Sequence, residues 1–123
     1  MNPNISPTEF YQQGLREGKL RYQLDPDSGK AVFPPRLCAP RTGRQLIWKE
    51  SEGVGVVYSY TVSRSRSGEF EICALVDMAE GYRMLGNVRG TTPDNVAIGT
   101  VLLAKAVQLN DSSFGVHFYP ESE

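Results

Sequence analysis

The clearest signal in the chain is an alternation of period two that begins in its middle third. Val54, Val56, Tyr58, Tyr60 and Val62 alternate with Gly55, Val57, Ser59 and Thr61, the pattern of a long half-buried strand. The polar run Ser63-Arg64-Ser65-Arg66-Ser67-Gly68 predicts a hairpin loop. Phe70, Ile72, Ala74, Val76 and Met78 predict the return strand. Glu80-Gly81 reads as a tight turn before a third strand over Tyr82 to Val88. The segment from Gly90 to Asn95 is a connection with room for one helical turn. A nearly continuous apolar run from Val101 to Leu109 predicts a fourth strand. Asn110 to Ser113 is a turn, and Phe114, Val116 and Phe118 mark a fifth strand that Pro120 ends. Five strands at short spacing, a meander followed by one longer connection, predict a small closed barrel. Gly53 and Gly55 are expected to supply the bulge that bends its first strand.

The first third of the chain has a different grammar. Ser6-Pro7-Thr8-Glu9 is a helix start, with a capping serine, proline at the first helical position and glutamate three residues on. The helix is expected over residues 7–17, with Tyr11 and Leu15 on one face, Gly14 as a weak point and Gly18 as the stop. Leu20 to Leu24 and Ala31 to Phe33 are candidate strands about the dense turn Asp25-Pro26-Asp27-Ser28-Gly29. Phe33-Pro34-Pro35-Arg36 forbids helix and favours an extended strut. Leu24, Val32 and Phe33 are the apolar residues on which this hairpin must pack.

Composition narrows the function classes. The 123 residues suit a single folding unit, and a net charge of −1 argues against holding a phosphate backbone by bulk charge. No segment has the length and apolarity of a membrane span. The polar start, Met1 to Pro7, lacks the pattern of a signal peptide. Cys38 and Cys73 are too few for a disulfide framework, so the expected compartment is the cytoplasm, with both thiols reduced.

No complete catalytic constellation stands out. His117, the only histidine, invites pairing with Cys38 or Cys73, but its alternation places it opposite the Phe114, Val116, Phe118 stripe, as an ordinary strand residue. Gly53-x-Gly55 is followed by a strand, whereas a phosphate loop needs a helix N-terminus. Arg64 and Arg66 at a hairpin tip suit either solvent or an anionic partner. Tyr58, Tyr60, Tyr82 and Phe70 form either a stacking platform for bases or a core and interface set. Arg36 projects from the proline strut, either as part of a linker or as an anchor. Phe10, Tyr11 and Leu15 make the short helix an element that must dock on something.

Helix, hairpin and Gly-x-Gly barrel together resemble the DUF35 family, a rubredoxin-like zinc ribbon fused to an OB-fold. The resemblance rests on Glu9-Phe10, Gly14-Leu15, Glu17-Gly18-Lys19-Leu20, Phe33-Pro34-Pro35-Arg36 with Cys38, and Gly53-x-Gly55-x-Val57-Tyr58-Ser59. Glu80-Gly81-x-Arg83-Met84-Leu85-Gly86, Ile98-Gly99-x-x-Val101 and Phe118-x-Pro120 extend it along almost the whole chain.

The resemblance implies a mainly β fold, with a helix and ribbon-like hairpin over residues 1–45 and a five-stranded OB barrel over 46–123. It implies a non-catalytic accessory subunit of a thiolase-fold or other acyl-CoA-processing enzyme, one that helps to form a CoA or substrate site on that partner. Phe33, Arg36, Arg64 and Arg66 are then candidates for contact with CoA or partner, and Phe10, Tyr11, Leu15, Tyr58 and Tyr60 for the interface. A single-stranded nucleic-acid-binding module and a stand-alone acyl-CoA binder or thioesterase are the alternatives; homo-oligomerisation stays open. The chain departs from the family at the metal. Where the ribbon carries two Cys-x-x-Cys pairs, alignment on Gly29 and Phe33 places Asp25 and Ser28, then Cys38 and Arg41. Structural zinc takes four thiolate or imidazole ligands, so a metal-free hairpin is expected, with no structural cofactor.

Overall fold

The computed structural model describes residues 5–121; Met1 to Asn4, part of the polar start, lie outside the described residues. Helix α1 (Pro7–Arg16) is followed by β1 (Arg21–Asp25), β2 (Lys30–Val32) and β3 (Ile47–Glu50). The barrel strands are β4 (Val54–Arg64), β5 (Phe70–Met78), β6 (Arg83–Val88), β7 (Val101–Gln108) and β8 (Phe114–Pro120), with a 3-10 turn at Pro93–Asn95. The fold is mainly β, as expected, with one helix and a closed five-stranded barrel in the order β4-β5-β6-β8-β7. Among the described residues only the β6–β8 pair is parallel, because the segment between β6 and β7 carries the chain across the barrel before the β7–β8 hairpin returns it.

Period two holds because each strand buries one side. Val57, Ile72, Ala74, Val76, Met78, Met84, Val88, Leu102 and Phe118 form the barrel interior. Two glycines make room inside. A Cβ on Gly86 would lie 2.7 Å from the Phe118 ring, and one on Gly55 would lie 2.5 Å from Val76. Gly55 therefore admits its neighbours and does not make the bulge expected of it. The bulge falls at Val57–Ser59, where Tyr58 is the extra residue. It keeps Val57 inside, at 1% exposure, while turning the rest of β4 away from β7.

The N-terminal part is a sheet in the order β2-β1-β3. Its third member is Ile47–Glu50, so the first strand past Leu46 completes this sheet and the barrel opens only at Val54. The Asp25–Gly29 turn closes as the sequence predicts: Asp25 Oδ1 accepts from Asp27 N–H at 3.0 Å, and the Asp25 carbonyl accepts from Gly29 N–H at 2.8 Å, with Gly29 at φ 74°. In α1, Glu9 N–H donates to Ser6 Oγ at 3.1 Å. Gly14 is a packing residue more than a weak point. A Cβ there would lie 2.8 Å from Arg21 Cδ, because the Arg21 stem crosses the helix and its guanidinium lies 4.2 Å over the Phe10 ring.

Two glutamine amides fasten these pieces. Gln12 Nε2 donates to the Phe114 carbonyl at 3.0 Å, and its Oε1 accepts from Phe114 N–H at 2.9 Å, which ties α1 to β8. Gln23, only 3% exposed, does the same to Arg36, with both bonds at 2.7 Å. Each amide pairs with one residue's backbone as a neighbouring strand would, so buried main-chain groups stay satisfied where no strand reaches.

Candidate functional site

The two parts of the chain meet in a column of aromatic rings. Tyr82, at the root of β6, stacks between Tyr22 of β1 and Phe33, with centroids 5.1 Å away on each side. Tyr11 of α1 closes the column edge-on against Phe33 at 5.6 Å. The rings fix the ribbon-like sheet against the barrel, each pair adding about 0.5–1.5 kcal/mol beyond burial. Glu80 clamps the same junction, accepting from Ser51 Oγ at 2.7 Å and from Glu52 N–H at 2.9 Å. The Tyr82 hydroxyl is buried without a full hydrogen bond, its neighbour Ser51 being committed to Glu80 and Gly53. Burial pushes the Tyr82 pKa far up, and that of Tyr11 up to about 12.

Beside the column lies a cleft of about 500 Å³ lined by Ala31, Phe33, Met78, Tyr82, Asp77 and Arg83. Arg83 and Asp77 form an ion pair across the β5–β6 hairpin. The same guanidinium lies 3.6 Å over the ring of Tyr58. The fold thus brings Phe33 of the N-terminal part and Tyr58 of the barrel onto one surface, joined through Arg83. Val56, Tyr58 and Leu85 make this surface apolar, Leu85 being 66% exposed. Arg83 escaped the sequence reading as a site residue. Its signal was there: Asp77 and Arg83 sit symmetrically about the Glu80-Gly81 turn, so an antiparallel hairpin must set them opposite each other.

The other candidates divide. Tyr60 is exposed on the far half of β4, and Arg64 lies 4.7 Å over the Phe70 ring at the hairpin end, with Arg66 in the loop beyond. Arg36 is exposed on its strut, its backbone held by Gln23. On α1, Phe10 packs 4.9 Å from Trp48 and Tyr11 joins the column. Leu15, at 2% exposure, is spent on the chain's own core and offers no surface to a partner.

His117 and Cys73 share the barrel exterior but not a site. Cys73 pairs with Asn87, and Asn87 with His117, so a whole strand separates thiol from imidazole, roughly 10 Å at ordinary strand spacing. Desolvation, then the nearby Arg89, holds the His117 pKa below its usual value. Cys38 is exposed on the loop after the strut. Cys73 is therefore not placed for a Cys–His pair.

The ribbon positions fail to fit a tetrahedral metal. Asp25, Ser28 and Arg41 line a cleft of about 380 Å³ together with Lys30, and Cys38 is not among its walls. Asp25 Oδ1 and Ser28 Oγ already accept from backbone N–H groups of their own turn. Among the described residues no three His, Cys, Asp or Glu side chains gather at one point. Two cations facing a single carboxylate repel a dication. Arg44 reaches across to Asp27 at 3.0 Å, an exposed pair worth at most about 1 kcal/mol.

Comparison with known proteins agrees with this architecture. Residues 48–105 match the family described as ChsH2, C-terminal OB-fold domain. A chain in the structure titled Ltp2-ChsH2(DUF35) aldolase superposes with a TM-score of 0.81 and 26% identity, covering 98% of this chain and 100% of that one. A DUF35 domain-containing scaffold protein of Methanocaldococcus jannaschii is 31% identical over 78 residues, 58% of this chain and 55% of its own length. The chain is thus similar to DUF35 proteins in fold and along most of its length. A further relative is the 3-oxo-4,17-pregnadiene-20-carboxyl-CoA hydratase alpha subunit of Mycobacterium tuberculosis, 33% identical over 119 residues. That alignment takes in 92% of this chain but 38% of the relative, so the chain spans well under half the length of that subunit. Among the described residues no helix is long and apolar enough to cross a membrane.

Proposed function

We propose that this chain is a non-catalytic accessory subunit that docks on an acyl-CoA-processing enzyme and helps to shape that enzyme's CoA or substrate site. The observation that carries the reading is the end-to-end correspondence with the DUF35 chain of a structure titled as an aldolase. The similarity to a subunit named for a CoA-thioester hydratase points to the same partner class. The molecule has a surface for such a role. The Val56, Tyr58, Leu85 patch with Arg83 at its centre is apolar, aromatic and arginine-bearing, the composition that protein interfaces favour. Within this reading the partner is of the thiolase fold, and Arg36, Arg64 and Arg66 are the cations offered to a CoA phosphate.

The test is a tagged pull-down at native expression in moderate salt, with proteins identified by mass spectrometry. Recovery of an acyl-CoA enzyme in near-equal amount establishes the accessory role, and a thiolase-fold sequence in that band establishes the finer claim. Recovery of no acyl-CoA enzyme in gentle buffer overturns both. Turnover of acyl-CoA by the isolated chain, lost on His117→Ala, overturns the non-catalytic assignment.

A further inference from the structure

Strand β4 is paired along its length by β5 on one side only. On the other side β7 reaches no further than Val54–Val56, and the loop before β7 adds two bonds to Val57: Val57 N–H to the Thr100 carbonyl at 2.9 Å, and Gly99 N–H to the Val57 carbonyl at 2.8 Å. Beyond the bulge, among the described residues, no strand lies against Ser59–Arg64 on that side. The direction of the free groups follows from the ladder. Ser65 N–H donates to the Glu69 carbonyl at 2.7 Å, so Ser63, Thr61 and Ser59 turn their polar backbone groups toward β5. Tyr60, Val62 and Arg64 turn theirs to the open side.

The same residues leave a side-chain face uncovered. Partners directly opposite in a ladder share a face. Tyr60 lies opposite Ala74, Val62 opposite Ile72, and Arg64 opposite Phe70. Ala74 and Ile72 are buried, yet Tyr60 is 37% exposed, Val62 41% and Phe70 53%. The barrel's interior face thus continues past the point where β7 stops covering it. Exposed edges are commonly guarded by lysine, proline or inward charge. From Tyr58 to Ser63 there is neither a charge nor a proline.

We propose that this edge is a strand-addition site: an extended segment of the partner enzyme pairs with Tyr60, Val62 and Arg64 as a further strand. The occupant must be extended, because only a strand both satisfies a row of alternate N–H and C=O groups and lays every second side chain on the Tyr60–Val62–Phe70 face. Its charge is set as well. Arg64 is the sole charge on that face, held over Phe70, while Glu71 lies opposite Ser63 on the other face. The incoming strand therefore carries apolar or hydroxyl side chains at alternate positions and an aspartate or glutamate against Arg64. This inference rests on the accessory-subunit reading and names the contact by which it is realised.

Val62→Pro is the discriminating variant. It deletes an outward N–H and leaves the β4–β5 ladder whole, the one strand setting that tolerates proline. Binding is measured by calorimetry to the acyl-CoA enzyme that co-purifies with the wild-type chain, with thermal melts as the fold control. The expected result is binding at least about tenfold weaker for Val62→Pro, with Arg64→Glu also weakened and less sensitive to salt. Amide exchange of the wild-type chain covers the case in which the proline variant melts early. In the free chain Ser59, Thr61 and Ser63 are protected while Tyr60, Val62 and Arg64 exchange freely, and in the complex the second set becomes protected. Full affinity in a folded Val62→Pro, or exchange at Tyr60, Val62 and Arg64 unchanged by the enzyme, overturns the strand-addition site and leaves the accessory role standing. Capture of no acyl-CoA enzyme by the wild-type chain overturns both.

Discussion

The barrel and the N-terminal sheet are both antiparallel β structure over most of their length, yet they are held together by different physics. The barrel buries a continuous apolar interior around Phe118, Leu102 and Val76. The N-terminal sheet has too few residues for an interior of its own. Its most buried strand residue is a glutamine, Gln23, and its apolar contacts include the rings that lean on Tyr82 of the barrel and Trp48 against Phe10 of the helix. Small β units with little core commonly rely on a metal or a disulfide. This one relies on amide-to-backbone bonds, an Asp27–Arg44 pair and docking against the larger unit. A small sheet with little interior of its own is thus held in place where a larger neighbour supplies the burial.

The widest gap between the two regions is expected from core truncation. Phe118→Ala empties the centre of the barrel and removes the ring that fills the space above Gly86, at a cost of about 3–5 kcal/mol by chemical denaturation. Since the N-terminal sheet leans on the barrel through Tyr82 and Glu80, its aromatic circular dichroism should be lost in the same transition. A separate, later transition for the Tyr22–Tyr82–Phe33 column would break the comparison by showing that the sheet stands alone.

Next in size, Gln23→Leu keeps the volume but strips the partners from the Arg36 N–H and C=O. It should cost about 2–3 kcal/mol, the expense of leaving two partly buried backbone groups unpaired. A cost near zero would mean that packing, not the amide, holds the strut.

Alkaline titration should act at the junction. Tyr11 has a folded-state pKa raised from 10 to about 12, so the un-ionised form is favoured on folding. That stability is fully present below pH 10 and is lost as pH rises through about 12. Tyr82, shifted in the same direction by burial, adds to the loss. Tyr11→Phe should flatten the decline in melting temperature over this range; an unchanged slope would remove Tyr11 from the account.

The smallest expected effect is none. Chelator should leave the melting temperature of the purified chain unchanged, and elemental analysis should find far less than one zinc per chain. Stoichiometric zinc with a chelator-sensitive melt would show that the ribbon positions bind metal despite Arg41 and Lys30.

These regions also differ in how far they could be read from sequence. Period two, turn residues and Pro120 placed all five barrel strands within a residue or two, because burial on one face leaves its mark on every second position. The helix start and the Asp25–Gly29 turn were equally legible, since capping and turn chemistry are local. The bulge was misplaced onto the glycines. A Gly-x-Gly pair signals close packing or a bend alike, and only the neighbours Val76 and Phe118 decide which. Gln23 left no signal at all, because its partner Arg36 is distant in sequence and its alternation with Tyr22 and Leu24 looks like an ordinary exposed position.

What the sequence determined by itself was therefore the set of elements and their order, both consequences of local chemistry. Tertiary structure alone decided that Ile47–Glu50 joins the first sheet and that Phe33 meets Tyr58 through Arg83. It alone decided that β4 outruns β7. Those facts depend on where each strand finds its second neighbour. Pairing energy is nearly the same for many partners, and the choice among them is made by the shape of the whole core.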